Sequence, residues 1–128
     1  MNDCIFCNIV AKKIPADIIY EDENFLAFLD INPVQKGHLL IVPKQHITWI
    51  QDMPDDLLSA NSILMKKMIQ QIIAKLSCDY VHVVIEGIEV AHVHTHLIPS
   101  LTPIHNAKWN HVKYDPGEQM HYAEILKG

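Results

Sequence analysis

Short apolar runs bounded by turn residues or proline recur along the chain, and one long segment repeats its apolar positions with a helical period. Ile18-Ile19-Tyr20-Glu21 and Phe25-Leu26-Ala27-Phe28-Leu29-Asp30 predict two strands joined by a tight turn at Asp22-Glu23-Asn24. Asn32-Pro33 and Lys36-Gly37 mark residues 31–37 as a loop, followed by a third strand from His38 to Val42 that Pro43 stops. Leu57, Leu64, Met68 and Ile72, flanked by Leu58, Met65, Ile69 and Ile73, recur at helical spacing. They predict one long helix with Pro54, Asp55 and Asp56 at its electropositive start. Tyr80 to Ile85 reads as a fourth strand and Ala91 to Pro99 as a fifth. A short helix within residues 4–13 closes ahead of Pro15. From Ser100 onward no period holds; Trp109, Tyr114 and Tyr122 sit in a tail expected to wrap the domain or a second subunit.

Strands, one helix, then strands again, with connections mostly too short for parallel crossovers, predict an α+β fold. Its sheet is mainly antiparallel and five-stranded, with one long helix and a short N-terminal one. At 128 residues the chain is most simply a single domain, 1–128. A formal charge of −5 with no basic run disfavours nucleic-acid binding. An anionic substrate would therefore need positive charge or backbone N–H groups concentrated at its site. No leader-like segment and no apolar run near the ~20 residues of a membrane span is evident, so a cytoplasmic protein is expected. Three cysteines in a reducing compartment speak against a disulfide framework.

Chemistry enters with the fifth strand. Extended backbone places His92, His94 and His96 in a row on one face, roughly 6–7 Å apart, with Val93, Thr95 and Leu97 on the other. A single strand histidine is ordinarily a packed or solvated residue. Three in strict alternation bring together imidazoles able to donate, accept, bind a metal or attack an electrophile. This strand is the candidate active site. Cys4-x-x-Cys7 is compatible with a redox pair, a metal half-site or coincidence, although no strand precedes it as a thioredoxin-like pair requires. Cys78 reads as a small buried hydrophobe. His38, His82, His105, His111 and His121 carry no spacing that demands chemistry.

Taken with Phe28-Leu29-Asp30-Ile31-Asn32-Pro33, Lys36-Gly37-His38 to Lys44, His46 and Cys4-Ile5-Phe6-Cys7, the run from His92 to Ile98 resembles the histidine-triad (HIT) family of nucleotide hydrolases and transferases. The family mark is His-φ-His-φ-His-φ-φ, with Thr95 a mild departure. The resemblance covers residues 4 to about 99. It implies a HIT-like fold, usually a homodimer, that binds a purine nucleotide. His94 would attack the α-phosphorus of a nucleoside phosphoramidate or dinucleoside polyphosphate, forming a nucleotidyl-histidine that water resolves. His96 would donate to the leaving group, Asp30 would hold the ribose hydroxyls, and Phe6, Phe25 and Ile31 would pack on the base. Zinc-bearing relatives imply a structural Zn²⁺ on Cys4, Cys7, His46 and His92.

The loop before the triad departs from the family. Many members carry Asn-x-Gly and Gly-Gln there, whereas this chain has Val84-Ile85-Glu86-Gly87-Ile88-Glu89-Val90. Gly87 permits close backbone approach, and Glu89 and Val90 fall at the substrate. A carboxylate aimed at a phosphate repels it, so either Glu89 turns away or the leaving portion is cationic. Two other readings stand beside the hydrolase: a non-catalytic nucleotide-binding or zinc-stabilised interaction module, and a catalytic metal held by all three triad histidines.

Overall fold

The short apolar segments form one antiparallel sheet in the order β1-β2-β3-β5-β4. Its strands are β1 (Ile18–Glu21), β2 (Phe25–Leu29), β3 (Leu39–Pro43), β4 (Val81–Glu86) and β5 (His94–Pro99). The structure is a computed structural model and describes residues 3–100 and 111–127. The β1–β2 turn closes on Asp22, whose Oδ1 accepts from the N–H groups of Asn24 and Phe25 at 2.8 and 2.7 Å.

Strand alternation then sorts the apolar side chains. Phe25, Ala27 and Leu29 join Leu39, Ile41 and Leu97 beneath the long helix α2 (Asp55–Leu76). Leu26, Phe28, Leu40 and Val42 face the other way, against Phe6 and Ile9 of α1 (Ile5–Val10). Both faces are covered, which explains why β2 and β3 read as nearly continuous apolar runs.

The chain leaves β3, crosses through α2 to β4, and returns as β5 into the gap between them. His96 therefore pairs with Leu40 on one side and Val84 on the other. Two ladders hold the candidate site strand in register.

Pro54 caps α2, Asp55 and Asp56 occupy its first turn, and it ends at Ser77 in the left-handed conformation (φ 54°). Leu64, Met68 and Ile72 are buried as their spacing requires. So is Asn61, which an apolar pattern passes over. Its Nδ2 donates to Thr95 Oγ1 at 3.5 Å, so the polar residue in the triad run has its partner on the helix.

Two expectations are corrected. The fifth strand begins at His94, three residues later than expected, because the backbone bends through residues 88–92; His92 N–H turns back to the Val90 carbonyl at 2.7 Å. The row of three histidines is thus a row of two. The tail contains a third helix, α3 (Glu118–Lys127), which packs on β1 and α2 through buried Ala123 and Leu126. Two buried positions make too weak a period to see, but Asp115-Pro116-Gly117-Glu118 is a start signal: Glu118 Oε1 accepts from the Asp115 N–H at 2.8 Å.

The described tail wraps this domain, with Val112 N–H donating to the Pro33 carbonyl and Gly37 N–H to Tyr114 Oη, both at 2.8 Å. Trp109 and His105 lie outside the described residues. Cys78 is buried as expected, and among the described residues no helix is long and apolar enough to cross a membrane.

Candidate active site and metal centre

The bend that removes His92 from β5 delivers it to the cysteines. Its Nε2–H donates to the Pro43 carbonyl at 2.8 Å, which fixes the tautomer and leaves the Nδ1 lone pair facing Cys4 Sγ (3.4 Å) and Cys7 Sγ (3.5 Å). His46 Nδ1 lies 3.1 Å from Cys7 Sγ. All four ligand atoms fall within 4.8 Å of one another. A tetrahedral zinc with bonds of about 2.0–2.3 Å separates its ligands by roughly 3.3–3.8 Å, so this Cys₂His₂ set fits a closed site. Burial and the adjacent Cys4 push the Cys7 thiol up to about 11, a cost that a bound divalent cation would reverse.

His94 and His96 remain in the strand row, and backbone groups decide their protonation as well. His94 Nδ1–H donates to the His92 carbonyl at 2.8 Å, leaving Nε2 as a lone pair. The His96 tautomer is set from Val34, whose N–H donates to His38 Nδ1 at 3.0 Å. His38 therefore carries its hydrogen on Nε2, which donates to His96 Nδ1 at 2.9 Å. His96 in turn bears hydrogen on Nε2. One imidazole presents a lone pair and its neighbour presents a donor, with ring centroids 4.8 Å apart.

These rings open onto two adjoining clefts. The larger, about 410 Å³, is lined by Asp30, His38, Val84, Glu86, His96 and His111 among others. The smaller, about 180 Å³, is apolar at one end, with Phe6, Phe28, Ile31 and Val90, and reaches His94 and His96 at the other. Asp30 and Glu89 border both. Phe6 packs edge-on against His94 at 5.0 Å.

Two expected positions lie elsewhere. Phe25 is in the layer beneath α2, across the sheet from the clefts, because alternation sends Leu26 and Phe28 to the site side; Phe28 lines the cleft instead. Gly87 is buried against Thr48, whose carbonyl oxygen any β-carbon there would strike, so its need is packing of the loop. Sequence reasoning passed over Glu86, His38 and His111. Glu86 Oε1 lies 3.6 Å from His94 Nε2 and 3.5 Å from His96 Nε2. His111 Nδ1–H donates to the Asn32 carbonyl at 2.7 Å, bringing a tail residue to the rim of the larger cleft.

The HIT-domain family model matches residues 11–102. The chain belongs to the histidine-triad family. A HIT-like protein of Methanocaldococcus jannaschii, MJ0866, is 42% identical over 129 aligned positions that cover 97% of this chain and 96% of its own. The adenosine 5′-monophosphoramidase HNT1 of Saccharomyces cerevisiae is 38% identical over 101 positions, 75% of this chain and 61% of the yeast protein. A zinc-bound histidine triad protein of Mycobacterium smegmatis shares the fold with a TM-score of 0.82 at 30% identity, covering 98% of this chain and 91% of that one.

Within this HIT domain, His38 is the group most displaced from its ordinary protonation. Burial, aided by His96, His111 and His94, pushes it down to about 3. Its unfolded value is about 6.5, so the unfolded chain takes up the proton first. Its contribution to stability is complete above about pH 6.5 and is lost as pH falls toward 3, at about 1.4 kcal/mol per unit. Burial lowers His96 in the same direction, whereas it raises Asp30 and opposes the trend. Urea unfolding at pH 7 and pH 5 is expected to show about 2 kcal/mol lost through His38, and a shallower dependence in His38→Asn. An equal pH dependence in that variant would contradict the assignment.

Proposed function

We propose that this HIT protein is a hydrolase acting at the α-phosphorus of a purine nucleoside phosphoramidate or dinucleoside polyphosphate through a nucleotidyl-His94 intermediate. The observation that carries the reading is the His94 ring, whose Nδ1–H is committed to the His92 carbonyl while Nε2 keeps its lone pair beside the cleft. Nε2 bonds to phosphorus, and the bond to the leaving nitrogen or oxygen breaks with its electron pair. His96 Nε2–H donates to that leaving atom or to a phosphoryl oxygen. Water then displaces the nucleoside monophosphate from Nε2. Asp30, half-buried and with Oδ1 held by the Asn32 N–H at 2.8 Å, is placed to accept the ribose hydroxyls. Phe6, Ile31 and Val90 form the apolar end suited to a base, and Glu89 stands at the rim. Cys4, Cys7, His46 and His92 hold a structural zinc that anchors the backbone on which His94 depends.

A catalytic metal shared by all three triad histidines finds no support, since His92 points to the cysteines. The interaction-module reading draws on one observation, the Glu86 carboxylate standing where a phosphate must enter. Mass-spectrometric detection of AMP released from adenosine 5′-phosphoramidate separates the two. Release supports the hydrolase; nucleotide binding without release selects the module.

The homodimer is part of the same proposal. β4 is an edge strand, and its Val83 and Ile85 stay 40% and 38% exposed, an edge that a second copy would cover. Sedimentation equilibrium is expected to give the mass of two chains, and Val83→Lys to shift it toward one. A wild-type protein that sediments as a monomer at all concentrations would remove the dimer.

A further inference from the structure

We infer that Glu86 is a specificity residue that selects substrates whose leaving group carries a positive charge. The inference rests on the hydrolase reading and sharpens it. Three observations converge on it.

The first is position. Glu86 is the last residue of β4 and sits directly opposite His94 in the β4–β5 ladder. Alternation puts its side chain on the same face as Val84, toward the larger cleft. Its Oε1 stands 3.6 Å from the attacking nitrogen and 3.5 Å from the donor nitrogen of His96. In an in-line displacement the leaving atom lies about 3.5–4 Å from the attacking atom, with phosphorus between them. The carboxylate therefore lies at the radius of the leaving group.

The second is charge balance. All ten Lys and Arg residues of the chain are lysines. Among the described lining residues neither cleft has a lysine, while Asp30, Glu86 and Glu89 line the larger one. Lys36 is engaged by Glu118, and Lys12 and Lys44 by Glu21. The local positive charge that an anionic substrate requires is not supplied by lysine or arginine among the described lining residues. A polyanionic leaving group would meet carboxylates, whereas an amine-bearing one would be met by complementary charge.

The third is the tautomer chain. Glu86, His94 and His96 also form a compact set of metal-ligating atoms. A cation on that set needs a lone pair on His96 Nε2, yet the Val34 N–H, acting through His38, keeps hydrogen there. The set is thus better suited to a cationic organic group hydrogen-bonded to the carboxylate than to a coordinated metal.

The test compares two adenosine 5′-phosphoramidates, one of 1,4-diaminobutane, with a free ammonium on its tail, and one of butylamine, with none. Diadenosine tetraphosphate, with and without Mg²⁺, is the polyanionic control. Wild type is expected to favour the ammonium tail in kcat/KM by roughly ten-fold over the neutral one. Glu86→Gln, which keeps the shape, should bring that ratio near one, whereas Glu89→Gln at the exposed rim should keep most of it. A ratio unchanged in Glu86→Gln overturns the inference, as does a Mg²⁺-dependent preference for the tetraphosphate that Glu86→Gln abolishes. If wild type turns over none of the three, the hydrolase reading fails. Calorimetric titration of the two amidates onto His94→Ala, with and without Glu86→Gln, then decides the charge preference alone, and equal affinities for both tails overturn it.

Discussion

His94→Ala is expected to lower release of nucleoside monophosphate by roughly 10⁴–10⁶-fold, the size of effect seen when a covalent nucleophile is removed. The loss follows from the arrangement around Nε2. No other unprotonated nitrogen faces the clefts from β5, because His96 Nε2 bears hydrogen and His92 is turned to the cysteines. Nucleotide affinity should change little, since Asp30, Phe6, Ile31 and Val90 remain in place. The truncation opens a gap beside Phe6, whose ring packs on His94 at 5.0 Å, so a modest stability loss accompanies it. A wild-type reaction quenched in base and digested should show one nucleotidyl group on the peptide containing His94, with the P–N bond surviving base and lost in acid. The alanine variant should show none. Retained turnover in His94→Ala, or an adduct on another residue, would remove the mechanism.

Stripping metal from the Cys4, Cys7, His46 and His92 site is the second large effect. Metal bound only by the folded chain contributes about 4 kcal/mol when free metal exceeds Kd by roughly 1,000-fold. For a chain of this length that is on the order of 10–20 °C in Tm. Elemental analysis should give one zinc per chain, and chelation should lower Tm by that amount. Cys7→Ser should reproduce the loss, with little further change on adding chelator. Binding requires thiolates, and Cys7 without metal sits near 11, so zinc binding releases protons and weakens as pH falls. Turnover should suffer too, although no ligand touches substrate: the His92 carbonyl holds His94 Nδ1–H, and His92 is itself tethered to the site. A Tm indifferent to chelation, or zinc absent from purified protein, would remove the proposal.

Both effects pass through His92, which alternation alone puts in one strand row with His94 and His96 and which the family resemblance makes a zinc ligand. Extended backbone is a sound inference where alternation is strict, and it holds for His94 and His96. It fails one step earlier because the short loop from Gly87 must clear Thr48 and turn before pairing can begin. The same limit explains Phe25 and Phe28. Either aromatic could have faced a base, and only the pairing of β2 between β1 and β3, with α2 on one face, fixes which one does.

The amino-acid sequence alone determined the fold class and its elements other than α3. Short apolar runs, the alternation of the histidine strand, the helical period, the turn residues and the proline stops are local properties, and they placed five strands, the long helix and the triad motif without knowledge of any contact. The ligand set Cys4, Cys7, His46 and His92 came from motif resemblance, and its atoms do lie together. Only the folded structure decided the chemistry of the rings. Which nitrogen of an imidazole carries hydrogen depends on the group opposite it; for His94 that group is the His92 carbonyl two residues away, placed by the local bend, but for His92 and His96 it comes from far along the chain. Pro43 lies 49 residues from His92, and His38 lies 58 from His96. The same assembly set Glu86 against two of those nitrogens across the β4–β5 ladder. Hydrogen bonds and charges act over a few ångströms of space, so they become definite only once folding has brought those distant segments together.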